Sequence, residues 1–364
     1  MFHIVSPVFD PSGYGRAGRD YIIGFKNQVS NFTVSASSYF DGDAKLFLDD
    51  DEYKLLSSIV INTLHADFSI PVICHITPDI AFPSVRHKIS LCYTVWETNQ
   101  LPIGINRNLN MFKAIFTSSD FSKQAFLNSR VESPISVIPH IIKKRSYKEF
   151  IIPDQFKDSI IFFSMFDWHL GKGYDLLLNA YYSAFQSNED VLLIIKTFDF
   201  AHNSSFFIAN RIKEFKKDRT AKIWLVSNLM PDNEISGIYK RSDCFVLPSR
   251  REAWGLGYGD ALANGLEIMA PSIGGHRQFL DESNSYLIDS QQIEIKNIER
   301  ERSNYFGQLW VESNLNHLTE IFKMLYKKGK VDKEKNLENR KDVLSKFSEE
   351  NVIRKFLEEI RKYE

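Results

Sequence analysis

Two carboxylates lie close together in the glycine-rich stretch PSRREAWGLGYGDALANG, residues 248–265. Glu252 precedes a turn, and Asp260 follows eight residues later, in what the pattern predicts to be a helix beginning near Leu256. Paired carboxylates suggest a glycoside hydrolase, whose two groups stand about 5 to 5.5 Å apart in retaining enzymes and about 6.5 to 9.5 Å apart in inverting ones. Eight helical residues span about 12 Å, so we predict that this pair does not share one scissile bond.

The same spacing suits two contacts with one extended ligand. A strand predicted over CFVLPS ends just before the turn EAWGLG, and the helix that follows has free backbone amides at its start. Those amides and the helix dipole favour an anion. An anion flanked by hydroxyl-bearing groups describes a nucleotide-diphosphate sugar, so the stretch predicts a binding site for such a molecule.

The elements that must position this stretch follow an α/β pattern. Short apolar runs rich in β-branched and aromatic residues alternate with amphipathic stretches along the chain. Such runs predict strands buried on both faces of parallel sheets, and the alternation predicts doubly wound domains with ligands at the carboxyl ends of the strands. We predict one Rossmann-like domain over residues 1–145, a linker over 146–159, and a second Rossmann-like domain over 160–340. The basic side chains of the irregular stretch 141–159 are expected to be solvated.

Composition narrows the classes of function. A chain of 364 residues with a net charge of −1 is too long for one ordinary core and lacks the basic excess that broad nucleic-acid binding requires. Cys74, Cys92 and Cys244 lie in apolar runs without pair spacing, which indicates buried thiols in a reducing compartment. The sequence shows neither a signal-peptide pattern nor an apolar run long enough to span a bilayer. We expect a soluble, cytoplasmic protein, and peripheral association with the inner face of a membrane through basic patches stays open.

Several motifs together resemble the retaining GT-B glycosyltransferases of family four, the glycogen-synthase and sucrose-synthase type. Their signature of a glutamate, seven intervening residues and a second glutamate is matched by YKRSDCFVLPSRREAWGLGYGDALANGLEIMAPSIGGHRQFLDESNSYLI. Further matches occur in order along nearly the whole chain: SGYGRAGRDY, YTVWETNQLP, FTSSDFSKQAF, VIPH, FFSMFDWHLGKGYDLLLNAYYSAF and GQLWVESNLNHL. The resemblance implies two Rossmann-like domains facing a central cleft, with a C-terminal helix over 341–364 that returns toward the N-terminal domain. The WET stretch is similar to a bacterial subgroup involved in surface-polysaccharide assembly.

The resemblance assigns donor-site roles position by position. Glu252 stands where the first family glutamate binds the hydroxyls of the donor sugar, and Asp260 stands where the second binds the ribose, one methylene shorter than usual. Lys172 in HLGKGYD matches the phosphate-binding lysine that stabilises the leaving diphosphate, so Glu252 and Lys172 form the predicted catalytic set. The arginine that often precedes this lysine is absent, and Arg250 or Arg251 is the candidate replacement.

The other donor-binding positions are expected to act through the backbone or through apolar contacts. A glycine loop near the N-terminus faces the diphosphate, the turn after the first carboxylate reaches the sugar and phosphates, and the loop SNLMPDNEI packs on the base. These positions are Gly13, Gly15, Trp254, Gly255, Leu256, Leu229 and Met230. An ordinary turn for the first loop and a core position for Met230 stay open.

Three residues are candidates for the acceptor side, because CHITPD and YTVWETNQLP close first-domain strands. His75 is expected at the end of one strand, while Trp96 and Glu97 are suited to stacking on and binding a sugar. A hydrogen-bonded structural histidine, a packed tryptophan and a local ion pair are the competing interpretations.

The implied reaction is front-face displacement with retention, in which the departing phosphate takes the proton of the acceptor hydroxyl. The expected partners are a nucleotide-sugar donor and a glycan or lipid-linked glycan acceptor, with no nucleic acid. We predict no cofactor and no metal, since DGD at 41–43 has no clear metal-binding context. Two alternatives stay open: a catalytically degenerate GT-B donor-binding partner of an active transferase, and a GT-B epimerase or phosphorylase.

Overall fold

The computed structural model describes residues 1–37, 40–61, 69–83, 87–198, 205–216, 221–296 and 305–364. The chain forms two compact units. One unit comprises Met1–Lys143 with Val343–Glu364, and the other comprises Lys144–Asp342. Among the described residues, no helix combines the length and the apolar character that a membrane crossing requires.

The first unit contains a six-stranded parallel sheet. The strands are β1 Phe2–Ser6, β2 Phe32–Ala36, β3 Val72–His75, β4 Ser90–Tyr93, β5 Ala114–Thr117 and β6 Ile135–Val137. Their order is β2-β1-β3-β4-β5-β6. The helices are α1 Gly13–Gln28, α2 Asp50–Ile59, α3 Ile105–Leu109, α4 Asp120–Asn128 and α12 Glu349–Arg361, with 3-10 turns at Ala44–Leu46 and Pro78–Ile80.

The C-terminal helix α12 completes the core of this first unit. Its apolar face carries Phe356, which is fully buried. The Phe356 ring lies 5.1 Å from that of Tyr21 and 5.2 Å from that of Phe25, both on α1. It also lies 5.6 Å from the rings of Tyr93 on β4 and Phe116 on β5. A segment from the end of the chain therefore fills a core that the first 143 residues begin.

The second unit contains another six-stranded parallel sheet and a small antiparallel pair. The strands are β7 Ile160–Asp167, β8 Val191–Phe198, β9 Lys222–Val226, β10 Cys244–Val246, β11 Glu267–Pro271, β12 Tyr286–Ile288, β13 Ser290–Glu294 and β14 Leu309–Ser313. The large sheet runs β12-β11-β10-β7-β8-β9, and β13 pairs with β14. The helices are α5 Tyr174–Ala184, α6 Ser205–Lys216, α7 Asp232–Arg241, α8 Leu256–Ala263, α9 Leu315–Lys328, α10 Lys333–Asn339 and α11 Lys341–Lys346, in which the unit boundary falls, with 3-10 turns at Asp154–Phe156, Leu170–Lys172 and Gly275–Gln278.

Strand order locates the natural ligand crevice of the second sheet. The chain begins at β7 in the middle, adds β8 and β9 on one side, and then crosses to β10 on the other side. In doubly wound sheets, ligands bind outside the carboxyl ends of the strands at such a switch point. The loops that leave β7 and β10 therefore flank the expected ligand crevice. The prediction of two parallel-sheet α/β domains is confirmed.

Candidate functional site

The loops that follow β7 and β10 pack directly on each other. The Gly171 carbonyl accepts hydrogen bonds from the amides of Arg250 at 2.8 Å and Arg251 at 3.2 Å. Gly173, which ends the first loop, has a left-handed φ of 71°, and a Cβ atom there would lie 2.0 Å from the Pro248 carbonyl oxygen. Glycine is therefore required both by the backbone conformation and by the close approach of the second loop.

This contact brings the two predicted catalytic side chains together. The Lys172 ammonium lies 3.2 Å from a carboxylate oxygen of Glu252, and each side chain is 14% exposed. The same ammonium donates to the Arg251 carbonyl at 3.4 Å. The pair joins loops that are 80 residues apart in sequence. The Glu252 carboxylate can accept hydrogen bonds from hydroxyl groups, and the Lys172 ammonium beside it can bind phosphate. Both lie at the carboxyl edge of the sheet.

Arg250 lies beside this pair, but its guanidinium is engaged elsewhere. It binds Asp175 through contacts of 2.6 and 2.8 Å and Glu312 through contacts of 2.6 and 3.0 Å. Burial by itself would lower the pKa of Arg250, but hydrogen bonds to the two carboxylates raise it above its ordinary value. In this geometry Arg250 ties the β10 loop to α5 and β14, and a donor contact would have to compete with two carboxylates.

The turn between Glu252 and α8 exposes backbone rather than side chain. Gly255 has a φ of 89°, and a Cβ atom there would lie 2.3 Å from the Tyr258 ring. The Trp254 side chain is 2% exposed and packs on Phe279 with ring centroids 4.7 Å apart. The predicted contacts of Trp254 and Gly255 with a sugar or phosphate can therefore come only from their main chains, which lead into the first turn of α8 at Leu256.

The glycine pair that follows β11 supports this turn. The Gly275 amide donates to the Glu252 carbonyl at 2.8 Å, and a Cβ atom at Gly275 would lie 1.7 Å from the Ala253 carbonyl oxygen. His276 is buried, and its Nε2 lies 2.7 Å from the Pro271 carbonyl. Burial lowers the pKa of His276 to about 4. These residues hold the backbone of the turn in place.

Asp260, the predicted ribose ligand, has a cationic neighbour that sequence reasoning missed. The Arg145 Nε lies 3.9 Å from the Asp260 carboxylate, and its Nη1 lies 3.5 Å from that of Asp232. Arg145 was expected to belong to a solvated basic stretch, yet its side chain is only 15% exposed. A lone arginine in an irregular segment gives no sequence signal for such a contact, because the two carboxylates lie far along the chain.

Leu229 and Met230 occupy the loop between β9 and α7, as their motif suggested. Both are partly exposed, one turn before α7 begins at Asp232. The loop leaves the carboxyl end of β9, on the same edge of the sheet as the loops of Lys172 and Glu252. The assignment of these apolar side chains to the base stays a prediction.

In the first unit, the two predicted glycines lie at the start of α1, which follows β1. Ser12 caps the helix by accepting from the Gly15 amide at 3.3 Å. A Cβ atom at Gly15 would lie 2.1 Å from the Asp10 carbonyl oxygen, so only glycine fits there. Gly13 is exposed at the first position of the helix.

The three acceptor-side candidates differ in what they expose. His75 is buried at the end of β3, with its Nδ1 3.0 Å from the Ser6 hydroxyl. Burial, with a smaller contribution from His140, lowers the pKa of His75 to about 3, so it is neutral at pH 7. Trp96 is 6% exposed and donates through Nε1 to Thr98 at 2.7 Å. Glu97 is half-buried.

Within the described ranges, no group of three or more His, Cys, Asp or Glu side chains has the arrangement to hold a metal ion. The prediction that the protein uses neither metal nor cofactor is not tested by that observation and stays a prediction.

Comparison with known proteins bears on this geometry. Residues 157–298 match the family model described as "Glycosyl transferases group 1". That range includes both loops, the Lys172–Glu252 pair and Asp260. None of the curated protein sequences matches the chain.

Solved structures match over a longer range. Anabaena Alr3699/HepE, crystallised with UDP and glucose, matches with a TM-score of 0.65 at 12% identity, covering 99% of both chains. An E. coli structure described as trehalose-6-phosphate bound with UDP-2-fluoro glucose matches with a TM-score of 0.67 at 9% identity, covering 99% of this chain and 98% of the other. The pneumococcal O-GlcNAc transferase GtfA, in complex with UDP and GlcNAc, matches with a TM-score of 0.55 at 13% identity, covering 85% of this chain and 59% of its own. At such low identities the likeness establishes the fold, which is GT-B as predicted.

Proposed function

We propose that this protein is a retaining glycosyltransferase that moves a sugar from a nucleotide-diphosphate sugar to a glycan or glycolipid acceptor in surface-polysaccharide biosynthesis. The observation that carries the proposal is the Lys172–Glu252 pair, whose charged atoms stand 3.2 Å apart where the loops of β7 and β10 meet. The family match over residues 157–298 supports it.

Glu252 and Lys172 contact different parts of the donor. Glu252 accepts hydrogen bonds from hydroxyls of the donor sugar, while Lys172 contacts the diphosphate. As the bond between the anomeric carbon and the phosphate oxygen breaks, negative charge grows on that oxygen and the attraction to Lys172 strengthens. The acceptor hydroxyl attacks from the same face, its oxygen bonds to the anomeric carbon, and its proton passes to the departing phosphate. No nucleophile or general base from the protein is needed in this step.

The rest of the donor has its own contacts. The base packs against Leu229 and Met230, the ribose hydroxyls bind Asp260, and the main chain of Trp254, Gly255 and Leu256 approaches the sugar and phosphates. Arg145, held between Asp232 and Asp260, orients the shorter carboxylate toward the ribose. UDP-sugars are the first donors to test, since structures of similar fold hold UDP.

In the first unit, Gly13 and Gly15 at the start of α1 are the proposed backbone positions for binding the diphosphate. The acceptor is bound by His75, Trp96 and Glu97. A neutral His75 can donate or accept a hydrogen bond with an acceptor hydroxyl, but it cannot act as a cation at pH 7, because burial keeps its pKa at about 3.

A second candidate is a degenerate donor-binding partner of an active transferase. Two observations favour this candidate. Asp260 stands where the family usually has a glutamate, and the guanidinium of Arg250 is bound by Asp175 and Glu312. Such a protein would bind a nucleotide sugar without releasing the nucleoside diphosphate.

Release of nucleoside diphosphate from a panel of nucleotide sugars separates these candidates. An acceptor-dependent release with one donor, and a product that keeps the anomeric configuration of that donor, is the expected result. Binding of a donor with no release in the presence of glycan acceptors would favour the degenerate partner. Conversion of the sugar without an acceptor would indicate an epimerase, and release that requires inorganic phosphate would indicate a phosphorylase.

A further inference from the structure

Lys196 is a buried cation at the carboxyl edge of the second sheet that no motif assigned. It lies in β8, two residues before the last residue of the strand, Phe198, and only 6% of it is exposed. Its backbone is level with Val226, the last residue of β9, on one side and with Met165 of β7 on the other. The neighbouring strands therefore end around it, as they do around a ligand crevice.

The side chain points to a defined face of the sheet. Alternate strand residues share a face, so Met165 lies on the same face as Phe163. The Phe163 ring packs on Tyr239 of α7, with centroids 4.8 Å apart. Lys196, level with Met165, thus faces the side covered by α7, the helix that follows the loop of Leu229 and Met230.

Lys196 also differs from two other lysines of this unit in having no charged or hydrogen-bonding partner among the described residues. Lys333 is partly buried, and its ammonium donates to the carbonyls of Tyr239 at 3.2 Å and Lys240 at 2.6 Å. Lys172 faces Glu252. For Lys196, burial alone lowers the pKa, to about 8, and no nearby charge opposes it. The ammonium of such a largely buried side chain is costly unless an anion meets it.

We propose that Lys196 is a second cation for the donor diphosphate, supplied from β8. It would take the place of the arginine that often precedes Lys172 and is absent here, because Lys196 lies level with Met165 of β7, the strand that leads into the loop of Lys172. The inference rests on the proposed donor site and adds a residue to it. Lysine suits the task as a point charge with three donors and no acceptor.

Binding of UDP and uridine to the full chain tests the assignment. Lys196→Met keeps the length and apolar stem of the side chain and removes the charge. We expect it to weaken UDP binding roughly 10- to 100-fold, the loss of a charged hydrogen bond, and to change uridine binding less than about twofold. Lys196→Arg should retain part of the UDP affinity.

Thr197→Val is the matched control. Thr197 is the next residue of β8, is buried, and points to the opposite face of the sheet. It should bind UDP and uridine as the wild type does. An equal loss of both ligands in Lys196→Met would mean that Lys196 contacts the base or ribose, and unchanged UDP binding would remove it from the site. Either result overturns the proposal.

Thermal unfolding of the same variants checks for a purely structural role. Without ligand, Lys196→Met should have a higher unfolding midpoint than the wild type, because a buried charge without a partner is removed. The increase in the unfolding midpoint on adding UDP should be smaller for Lys196→Met than for the wild type. If Lys196 is needed for the fold, Lys196→Met would instead have a lower unfolding midpoint without ligand.

The wild type separates failure of this inference from failure of the proposed function. If the wild type binds UDP, ADP and GDP no better than uridine, adenosine and guanosine, both fail. If the wild type binds a diphosphate well and Lys196→Met binds it equally well, only the inference fails.

Discussion

At the scale of single residues, the ion pair of Glu252 with Lys172 is the most informative feature. Glu252→Gln keeps the shape of the side chain and removes the charge that holds Lys172 at 3.2 Å. We expect turnover to fall roughly 100-fold, since contacts to the reacting sugar are lost in the transition state. The midpoint of thermal unfolding should change little, because the glutamine amide oxygen can still accept a hydrogen bond from Lys172. A rate near that of the wild type would remove Glu252 from the donor site.

The charge of Lys172 should matter more in the transition state than in the ground state. Lys172→Met is expected to lower kcat by roughly 100-fold and to raise the donor KM by less, because the phosphate oxygen gains charge as the bond breaks. Lys172→Arg should retain part of the rate, since the role is electrostatic. The wild-type rate should persist in EDTA. A rate that collapses in EDTA and returns with manganese would assign this charge to a metal.

Asp260 should affect binding rather than the chemical step. Ribose contacts are equal in the ground and transition states, so Asp260→Ala is expected to raise the donor KM roughly tenfold or more with little change in kcat. Arg145→Met is the companion variant, since Arg145 lies 3.9 Å from this carboxylate. It should raise the donor KM by less than Asp260→Ala. A fall in kcat without a change in KM would argue that Asp260 acts on the reacting centre instead.

At the scale of elements, the contact between the β7 and β10 loops depends on Gly173. Gly173→Ala meets both the left-handed backbone, which costs about 1 to 2 kcal/mol, and the Pro248 carbonyl at 2.0 Å. Gly329→Ala is the matched control, because its φ is 84° but nothing lies within 4 Å of an added Cβ. We expect Gly173→Ala to destabilise the protein more than Gly329→Ala in urea unfolding and to lower kcat, since Lys172 precedes it. Equal effects of the two changes would show that the loop contact carries no strain.

The sequence correctly predicted those elements that are specified by residues near one another in the chain. Apolar runs such as VLLIIKTF and IIFFSMF gave parallel strands, and the turn EAWGLG gave the helix start at Leu256. The antiparallel pair β13–β14 was not foreseen as strands, because β13 has no buried residue and the buried apolar residues of β14 are only Trp310 and Val311.

Contacts between distant segments could not be predicted in the same way. The meeting of Lys172 with Glu252 joins positions 80 residues apart, and that of Arg145 with Asp260 depends on where an irregular segment lies. Lys196 did leave a trace in the sequence, as a single charge inside an otherwise apolar strand. Its meaning required knowing that the described neighbours offer it no partner, which only tertiary structure supplies.

At the scale of the whole molecule, the first unit is built from both ends of the chain, because residues 343–364 pack with residues 1–143. Phe356 is the residue on which this arrangement depends, because its ring meets four aromatic rings of α1, β4 and β5. Phe356→Ala should cost about 3 to 5 kcal/mol in stability through the cavity that it leaves. The exposed neighbour Lys355 offers the control Lys355→Ala, which we expect to cost less than about 0.5 kcal/mol.

Hydrogen exchange measured by mass spectrometry shows which parts of the protein Phe356→Ala destabilises. Residues 1–143 and 343–364 share one core, so their amides should exchange faster in the variant. Amides of β7, β8 and β10 belong to a core built within residues 144–342 and should keep their protection. Because Lys172 and Glu252 also lie within residues 144–342, UDP binding should survive the change. Faster exchange spread evenly over both sets of residues would show that the two cores unfold as one cooperative unit.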